Sequence, residues 1–265
     1  MPGCKRDYSN MNFGKKMQQF YRGLGPALWD IPGLTQPERT GALELPYIGS
    51  RYASGGVMFL QSDEQNISPV SLLSQGVEEV VQTAKGALDF LFVTALAAIF
   101  LEHYGLEKPA TQRVDYADLN LSNSAGISGF VSSLDEIAFG RTSQAHPGAL
   151  SDEQRRMFHE RWLKRVLSGQ IKILRPFYFV LFGKSAAAWE IVSHACGATA
   201  WRRETGVTSI GHIIALHERQ LVHEVIFVEQ TPANAEELKD QVAEFRRFIE
   251  GGFLLGREPF SFVTQ

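Results

Sequence analysis

The sequence predicts a three-layer α/β fold, in which a short, largely parallel sheet of four strands is covered by helices on both faces. Two short apolar runs, at residues 56–60 and 177–182, are typical of buried parallel strands. Longer helical patterns separate the predicted strands, and this alternation favours a parallel sheet. With 265 residues and 44% hydrophobic side chains, the chain is long and apolar enough to bury one core.

We expect two parts, an N-terminal arm over residues 1–45 and a single domain over residues 46–265. The arm holds one weak helical pattern around residues 15–23. A Pro- and Gly-punctuated stretch follows at residues 25–41, which is typical of a surface segment.

The sequence of the first half of the domain predicts two strands and one helix. The strand at residues 56–60 is followed by a polar loop at 61–66 and a long helix at about 77–104. Residues 113–121 alternate enough to predict a second strand, which ends in polar residues.

The second half predicts two more strands between helices. Ser151 and Gln154 form a capping-box pattern, which predicts a helix running to about Ser168. A strand at 177–182 turns directly into a helix at 186–196. The fourth strand is predicted at 210–216 and a closing amphipathic helix at 236–249.

Composition excludes several classes of protein. A net charge of -3 argues against a broadly basic nucleic-acid binder and allows only a local basic face. Two cysteines are too few for an iron–sulfur cluster, and the histidine spacings match no zinc pattern, so we expect no metal and no cofactor. The most apolar run, residues 90–101, is shorter than the roughly 20 residues that cross a bilayer. We therefore expect no membrane partner. We also expect the protein to be a cytoplasmic monomer.

Basic residues concentrate in two places, which we interpret first as solvated helix faces. They are Arg155, Arg156, Arg161, Lys164, Arg165, Lys172 and Arg175, and then Arg202 and Arg203 beside Trp201.

The polar residues after the predicted strands are the candidate site, because open α/β sheets bind ligands beyond the carboxyl ends of their strands. They are Gln61, Ser62, Asp63, Asn120, Asn123, Lys184, Ser185, His217 and Arg219. Gly183-Lys184-Ser185 lacks the earlier glycine of a P-loop and predicts a tight turn with a helix cap. An acid such as Asp63 and an imidazole such as His217 can activate water and stabilise a leaving group. Spacing alone leaves open that they are a loop acid and a polar strand end.

The order of elements over residues 45–228 resembles the uracil-DNA glycosylase superfamily, as a divergent branch. Residues 59–65, Phe-Leu-Gln-Ser-Asp-Glu-Gln, stand where that family carries Gly-Gln-Asp-Pro-Tyr-His, with Asp63 on the acidic position. Residues 45–52 are similar to the segment that approaches this motif, and residues 215–217 end where the family has His-Pro-Ser. Gln61 replaces the motif glycine, which favours a base other than plain uracil.

The resemblance implies a DNA glycosylase that flips a damaged or modified base into a pocket and hydrolyses its N-glycosidic bond. Asp63 would activate water and His217 would stabilise the leaving base. Contacts to the base would come from Gln61, Ser62, Asn120 and Tyr52, and contacts to phosphates from Lys184, Ser185, Arg202, Arg203 and Arg219. Two alternatives stay open: a non-catalytic nucleic-acid or nucleotide binder on the same fold, and an unrelated flavodoxin-like α/β hydrolase.

Overall fold

The computed structural model describes residues 13–33, 45–61, 84–104, 134–141, 150–182, 192, 196–204, 210–217, 220–228 and 231–250. The helices in these residues are α1 (Phe13–Trp29), α2 (Ala84–Tyr104), α3 (Asp152–Arg161), α4 (Ser168–Leu174) and α5 (Ala235–Glu250). The strands are β1 (Tyr47–Ile48), β2 (Val57–Gln61), β3 (Ile137–Arg141), β4 (Tyr178–Phe182), β5 (Ala200–Glu204), β6 (Ile210–His217) and β7 (Gln220–Val228). None of the described helices is both long and apolar enough to span a bilayer.

All seven strands form one sheet, in the order β1-β3-β2-β4-β7-β6-β5. The four central neighbours β3, β2, β4 and β7 run parallel to one another. The outer strands β1, β6 and β5 are antiparallel to their neighbours. The predicted α/β class is therefore confirmed, whereas the sheet is mixed, with a parallel centre and antiparallel outer strands, and is wider than the four strands predicted.

The described strand beside β2 is β3, and the predicted strand at 113–121 lies outside the described residues and stays a prediction. One strand prediction was wrong in a way that affects the site. The predicted fourth strand exists as β6, but it is antiparallel, and β7 is the fourth parallel strand. A tight connection joins β6 to β7, which permits an antiparallel pair and is too short for a parallel crossover.

Strand alternation divides the core between two faces of the sheet. Phe59, Phe139 and Val180 pack on one face with α2 and α5. The residues between them along the same strands, such as Leu60 and Leu181, pack on the other face with α1, α4 and the helical turn before α4. Both faces of the central strands are therefore buried, which explains their continuous apolar sequences.

One long helix, defined here as residues 152–174, combines α3, a π-helical turn at Trp162–Leu167 and α4. It begins at the predicted capping box, because the Ser151 hydroxyl accepts from the backbone N–H of Gln154 and the Gln154 side chain accepts from the backbone N–H of Ser151. It ends at Arg175, which adopts a left-handed conformation. The helix thus starts where the sequence predicts and runs past the expected end at Ser168.

Helix α1 is longer than the weak pattern in the predicted arm, and it packs against the domain. Met17 and Leu28 are fully buried beside the long helix. Gly169 permits this close approach, since a β-carbon at that position would overlap the Phe20 ring. This part of the arm therefore contributes to the core of the domain.

Candidate functional site

The parallel strands converge on one end of the sheet, here called the carboxyl edge, which is formed by Gln61, Arg141, Phe182 and Val228. These four residues are register partners across β3, β2, β4 and β7. From β2 the chain first adds β3 on one side and later β4 on the other. Such a reversal leaves a crevice beyond the carboxyl ends of β2 and β4, where open α/β sheets bind ligands. Gln61 ends β2 at this point.

Gln61 and Arg141 share one face of the sheet at the carboxyl edge. They are register partners on parallel strands, and alternation from Phe59 and Phe139 points both toward the layer of α2 and α5. Neighbouring strands lie about 4.8 Å apart, so the amide and the guanidinium stem start side by side. Gln61 is 3% exposed and Arg141 is half-buried. An amide and a guanidinium together can bind an anionic or carbonyl-rich ligand.

Helix α5 begins on the same side of the sheet, shortly after β7 ends at Val228. Its first N–H groups are satisfied within the chain, because the Asn234 side-chain oxygen accepts from the backbone N–H groups of Glu236 and Glu237. The Glu237 carboxylate in turn accepts from the backbone N–H of Ala233 and the Asn234 amide. This helix start is capped and acidic, so it favours no bound anion.

His217 lies at the opposite end of the sheet, here called the amino edge, where the parallel strands begin. Because β6 is antiparallel, Ile210 pairs with Val228 at the carboxyl edge, and His217 pairs with Gln220, the first residue of β7. His217 lies seven positions after Ile210 along the strand, a length of about 24 Å. The prediction that His217 shares a site with the strand ends at Gln61 is therefore wrong.

Tyr52 also lies toward the amino edge and is a core residue. Its ring is 1% exposed and packs edge-on against Phe13. Its hydroxyl donates to the Leu174 carbonyl oxygen at 3.4 Å, at the end of the long helix. Burial raises the pKa of this hydroxyl above its ordinary value. The prediction that Tyr52 stacks on a substrate base is wrong, because its ring is already enclosed by the core.

The segment at 45–52, which resembles a family motif, has a structural role in this protein. Gly49 lies against the backbone carbonyls of Leu134 and Asp135, where a β-carbon would come within 2.3 Å of each oxygen. The Arg51 guanidinium pairs with the buried Glu136 carboxylate at 3.1 Å. The segment at 45–52 therefore holds β1 and β3 together and supplies no ligand contact at the carboxyl edge.

The remaining predicted site residues divide into two groups. Arg202 and Arg203 lie on the outermost strand β5, opposite Ile214 and Ile213 of β6. Ser62, Asp63, Asn120, Asn123, Lys184, Ser185 and Arg219 lie outside the described residues.

Three buried polar side chains occupy the antiparallel part of the sheet. His212 and Glu224 are enclosed beneath α5 and meet at 3.1 Å between the His212 Nε2 and a Glu224 carboxylate oxygen. His223 points to the opposite face and contacts the Phe179 ring. Burial lowers the pKa of His223 to about 4. The described residues contain no cluster of three His, Cys, Asp or Glu side chains that could hold a metal.

Arg141 is the site residue that the sequence interpretation missed. Its strand, Ile-Ala-Phe-Gly-Arg, has only three apolar residues before Gly140 and gives a weak strand signal. The available clue was the position of an arginine directly after a short apolar run.

Comparison of the chain with family models, curated protein sequences and solved structures gave no match. The assignment of function therefore depends on the residues and geometry of the site.

Proposed function

We propose that the protein is a divergent DNA glycosylase that hydrolyses the N-glycosidic bond of a damaged or modified base at the carboxyl edge. The observation that carries this proposal is the reversal of strand order between β2 and β4 at Gln61, with Arg141 next to Gln61 on β3. Asp63, the acidic residue implied by the family resemblance, follows Gln61 by two residues. The parallel core with helices packed on both faces also supports the fold that the resemblance implies.

The chemistry requires charge stabilisation on both sides of the bond that breaks. The sugar becomes positive and the departing base becomes negative as the bond between the anomeric carbon and the base nitrogen lengthens. In this proposal, Asp63 orients the attacking water and accepts its proton. Arg141 takes the role first assigned to His217 and stabilises the negative charge on the leaving base. Gln61 donates or accepts hydrogen bonds at the base edge.

The base must leave the stack before it reaches such a site. Unstacking and unpairing cost a few kcal/mol, and the cost is lowest for a damaged or mismatched base. The replacement of the motif glycine by Gln61 changes the polarity beside the target base. A modified base with an additional hydrogen-bonding group therefore fits this site better than plain uracil.

Purified protein incubated with duplexes carrying single uracil, hypoxanthine, xanthine or bulky modified pyrimidine lesions tests the proposal. We expect abasic sites, detected as strand breaks after alkali, with at least one modified base. Asp63→Ala should lower the rate by about 10²–10⁴-fold, the range for loss of a general base. Absence of abasic product from every substrate, or an unchanged rate in Asp63→Ala, contradicts the proposal.

A second candidate is a non-catalytic protein that binds nucleic acid through the same edge. The position of His217 favours it, because half of the expected catalytic pair lies at the amino edge. Duplex binding with a steep salt dependence and no abasic product would support this candidate.

The strand order bears on the flavodoxin-like alternative. The four parallel strands share the first part of the flavodoxin-like order, in which ligands also bind at the reversal between the first and third strands. Beyond β7, however, the sheet continues with antiparallel β6 and β5 instead of a fifth parallel strand. The same two strands also exceed the four-stranded sheet of the glycosylase resemblance, so strand order separates neither proposal from the other.

A further inference from the structure

The long helix and the Arg175 that caps it concentrate positive charge on a chain that is acidic as a whole. Residues 152–175 contain seven basic and three acidic side chains, whereas the whole chain has a net charge of -3. Helix α5, on the other face of the sheet, contains five acidic and three basic side chains. The two helical layers therefore have opposite electrostatic character.

Local ion pairs neutralise only part of this charge. Asp152 pairs with Arg155 at 2.5 Å, and Glu160 approaches Lys164 at 3.8 Å. The Arg161 guanidinium donates to the Asp30 carbonyl oxygen and fixes the end of α1 against the helix.

Four exposed cations remain without a carboxylate partner among the described residues. They are Arg156, Arg165, Lys172 and Arg175, here called the basic row. Arg156 and Lys172 are 16 residues apart, about 24 Å along a helix axis. That length matches about seven steps of duplex DNA at roughly 3.4 Å per step on each strand.

The basic row extends from the carboxyl edge toward the amino edge. The Trp162 indole N–H donates to the Arg141 carbonyl oxygen at 3.2 Å, and the Gln170 side chain lies beside Gly140. The part of the helix between Trp162 and Gln170 therefore passes the last two residues of β3. Arg156 lies on the side of Trp162 away from Leu174, and Leu174 contacts Tyr52 near the amino edge.

We propose that the basic row is a docking surface for the phosphate backbone of duplex DNA. This inference rests on the proposed function for the identity of its ligand, and it adds a surface outside the candidate site. Arginine and lysine side chains held on one rigid helix bind successive phosphates through charge, with no requirement for a particular base.

A pair of charge-matched variants tests the surface. Arg165→Glu/Lys172→Glu reverses two cations of the basic row, and Lys239→Glu/Arg247→Glu reverses two exposed cations of α5 by the same total charge. Binding to an undamaged 20-base-pair fluorescent duplex is measured by anisotropy across roughly 50–200 mM NaCl, the range over which backbone contacts weaken strongly.

We expect the basic-row variant to bind at least about tenfold more weakly than wild type and to lose about two units of salt slope, roughly 0.9 for each lost phosphate contact. The α5 variant should stay within about threefold of wild type, because diffuse charge at this ionic strength is largely screened. Circular dichroism melting of both variants confirms that the exposed substitutions leave the fold intact. Equal weakening of the two variants, or no duplex binding by wild type, overturns the inference.

The undamaged duplex separates this inference from the glycosylase proposal. Loss of binding in the basic-row variant, with no abasic product from any lesion, supports the surface and removes the catalytic function. Base release by wild type with unchanged duplex binding in the basic-row variant supports the function and overturns the surface. Polyglutamate or phosphatidylserine vesicles that bind as tightly as the duplex would overturn the assignment to nucleic acid.

Discussion

The carboxyl edge and the amino edge of the sheet both carry polar residues, but they differ in what surrounds them. At the carboxyl edge, Gln61 and Arg141 stand together at the ends of neighbouring parallel strands. At the amino edge, Tyr52 is enclosed by aromatic and aliphatic side chains, and Arg51 forms an ion pair with Glu136. At the amino edge Tyr52 belongs to the packed core, whereas at the carboxyl edge Gln61 and Arg141 lie where open α/β sheets bind ligands.

The difference follows from how the chain enters and leaves the strands. The segment before β2 folds back against β3, so its backbone and side chains fill the amino edge. At the carboxyl edge, the strand order reverses between β2 and β4, and such a reversal leaves a crevice. Four predictions test this contrast, beginning with the largest expected effect.

Tyr52 provides the strongest test of the amino edge as a packed region. Tyr52→Ala removes a buried aromatic ring and should lower the free energy of unfolding by about 3–5 kcal/mol, the usual cost of such a cavity. Tyr52→Phe removes only the 3.4 Å hydrogen bond to Leu174 and should cost less than about 1 kcal/mol. Urea denaturation followed by fluorescence measures both. An unchanged unfolding midpoint in Tyr52→Ala would show that the ring is not part of the core.

Acidification should destabilise the protein through His223. Its folded-state pKa is about 4, below its ordinary value, so the unfolded chain binds a proton that the folded chain excludes. The free energy of unfolding should therefore fall as the pH falls from about 6.5 to about 4, by about 3 kcal/mol in total from this group.

Urea denaturation at several pH values checks this dependence, with His223→Gln and His217→Gln as matched variants. The His223 variant should show a shallower loss of stability over this pH range than wild type, whereas the exposed His217 variant should follow wild type. A His223 variant whose pH dependence matches wild type would refute the assignment.

Catalysis should respond to Arg141 and ignore His217 if the site lies at the carboxyl edge. Arg141→Lys keeps the charge but loses the forked donor geometry, so we expect about a tenfold lower rate of base release, equivalent to about 1.4 kcal/mol. His217→Ala should keep the wild-type rate within about twofold. Single-turnover measurement of abasic-site formation distinguishes them. A larger loss in the His217 variant would return the site to the amino edge.

The capping box gives the smallest effect and tests whether the long helix depends on its first turn. Ser151→Ala removes the side chain that accepts from the Gln154 N–H and should cost about 1 kcal/mol of stability. Asn234→Ala at the start of α5 is the matched variant and should cost a similar amount. Thermal unfolding measures both. No change in either midpoint would show that the caps contribute nothing in this protein.

Much of the fold could be predicted from local pattern. The buried strands β2 and β4 have continuous apolar sequences, and the long helix begins at a capping box that needs only Ser151 and Gln154. Helix α5 shows a strong apolar face and lies almost where the sequence predicts. These features depend on residues a few positions apart, so the sequence contains the information directly.

The candidate site was less predictable because it depends on strand direction. His217 ends an apolar strand, as predicted, but its place in the molecule depends on whether β6 runs with or against β7. Arg141 was missed because β3 has only three apolar residues before Gly140, which is a weak strand signal. The apolar pattern of a strand is the same in either direction, and only pairing distinguishes them.

The amino-acid sequence alone determined the α/β class, the main buried strands, the start of the long helix and the cluster of cations along it. Each of these follows from the period of apolar residues, from capping chemistry or from composition. The tertiary structure alone decided which strand ends meet, placing Arg141 beside Gln61 and His217 at the far edge. The physical reason is that strand order and direction are set by pairing between segments far apart in the chain, which no local pattern encodes.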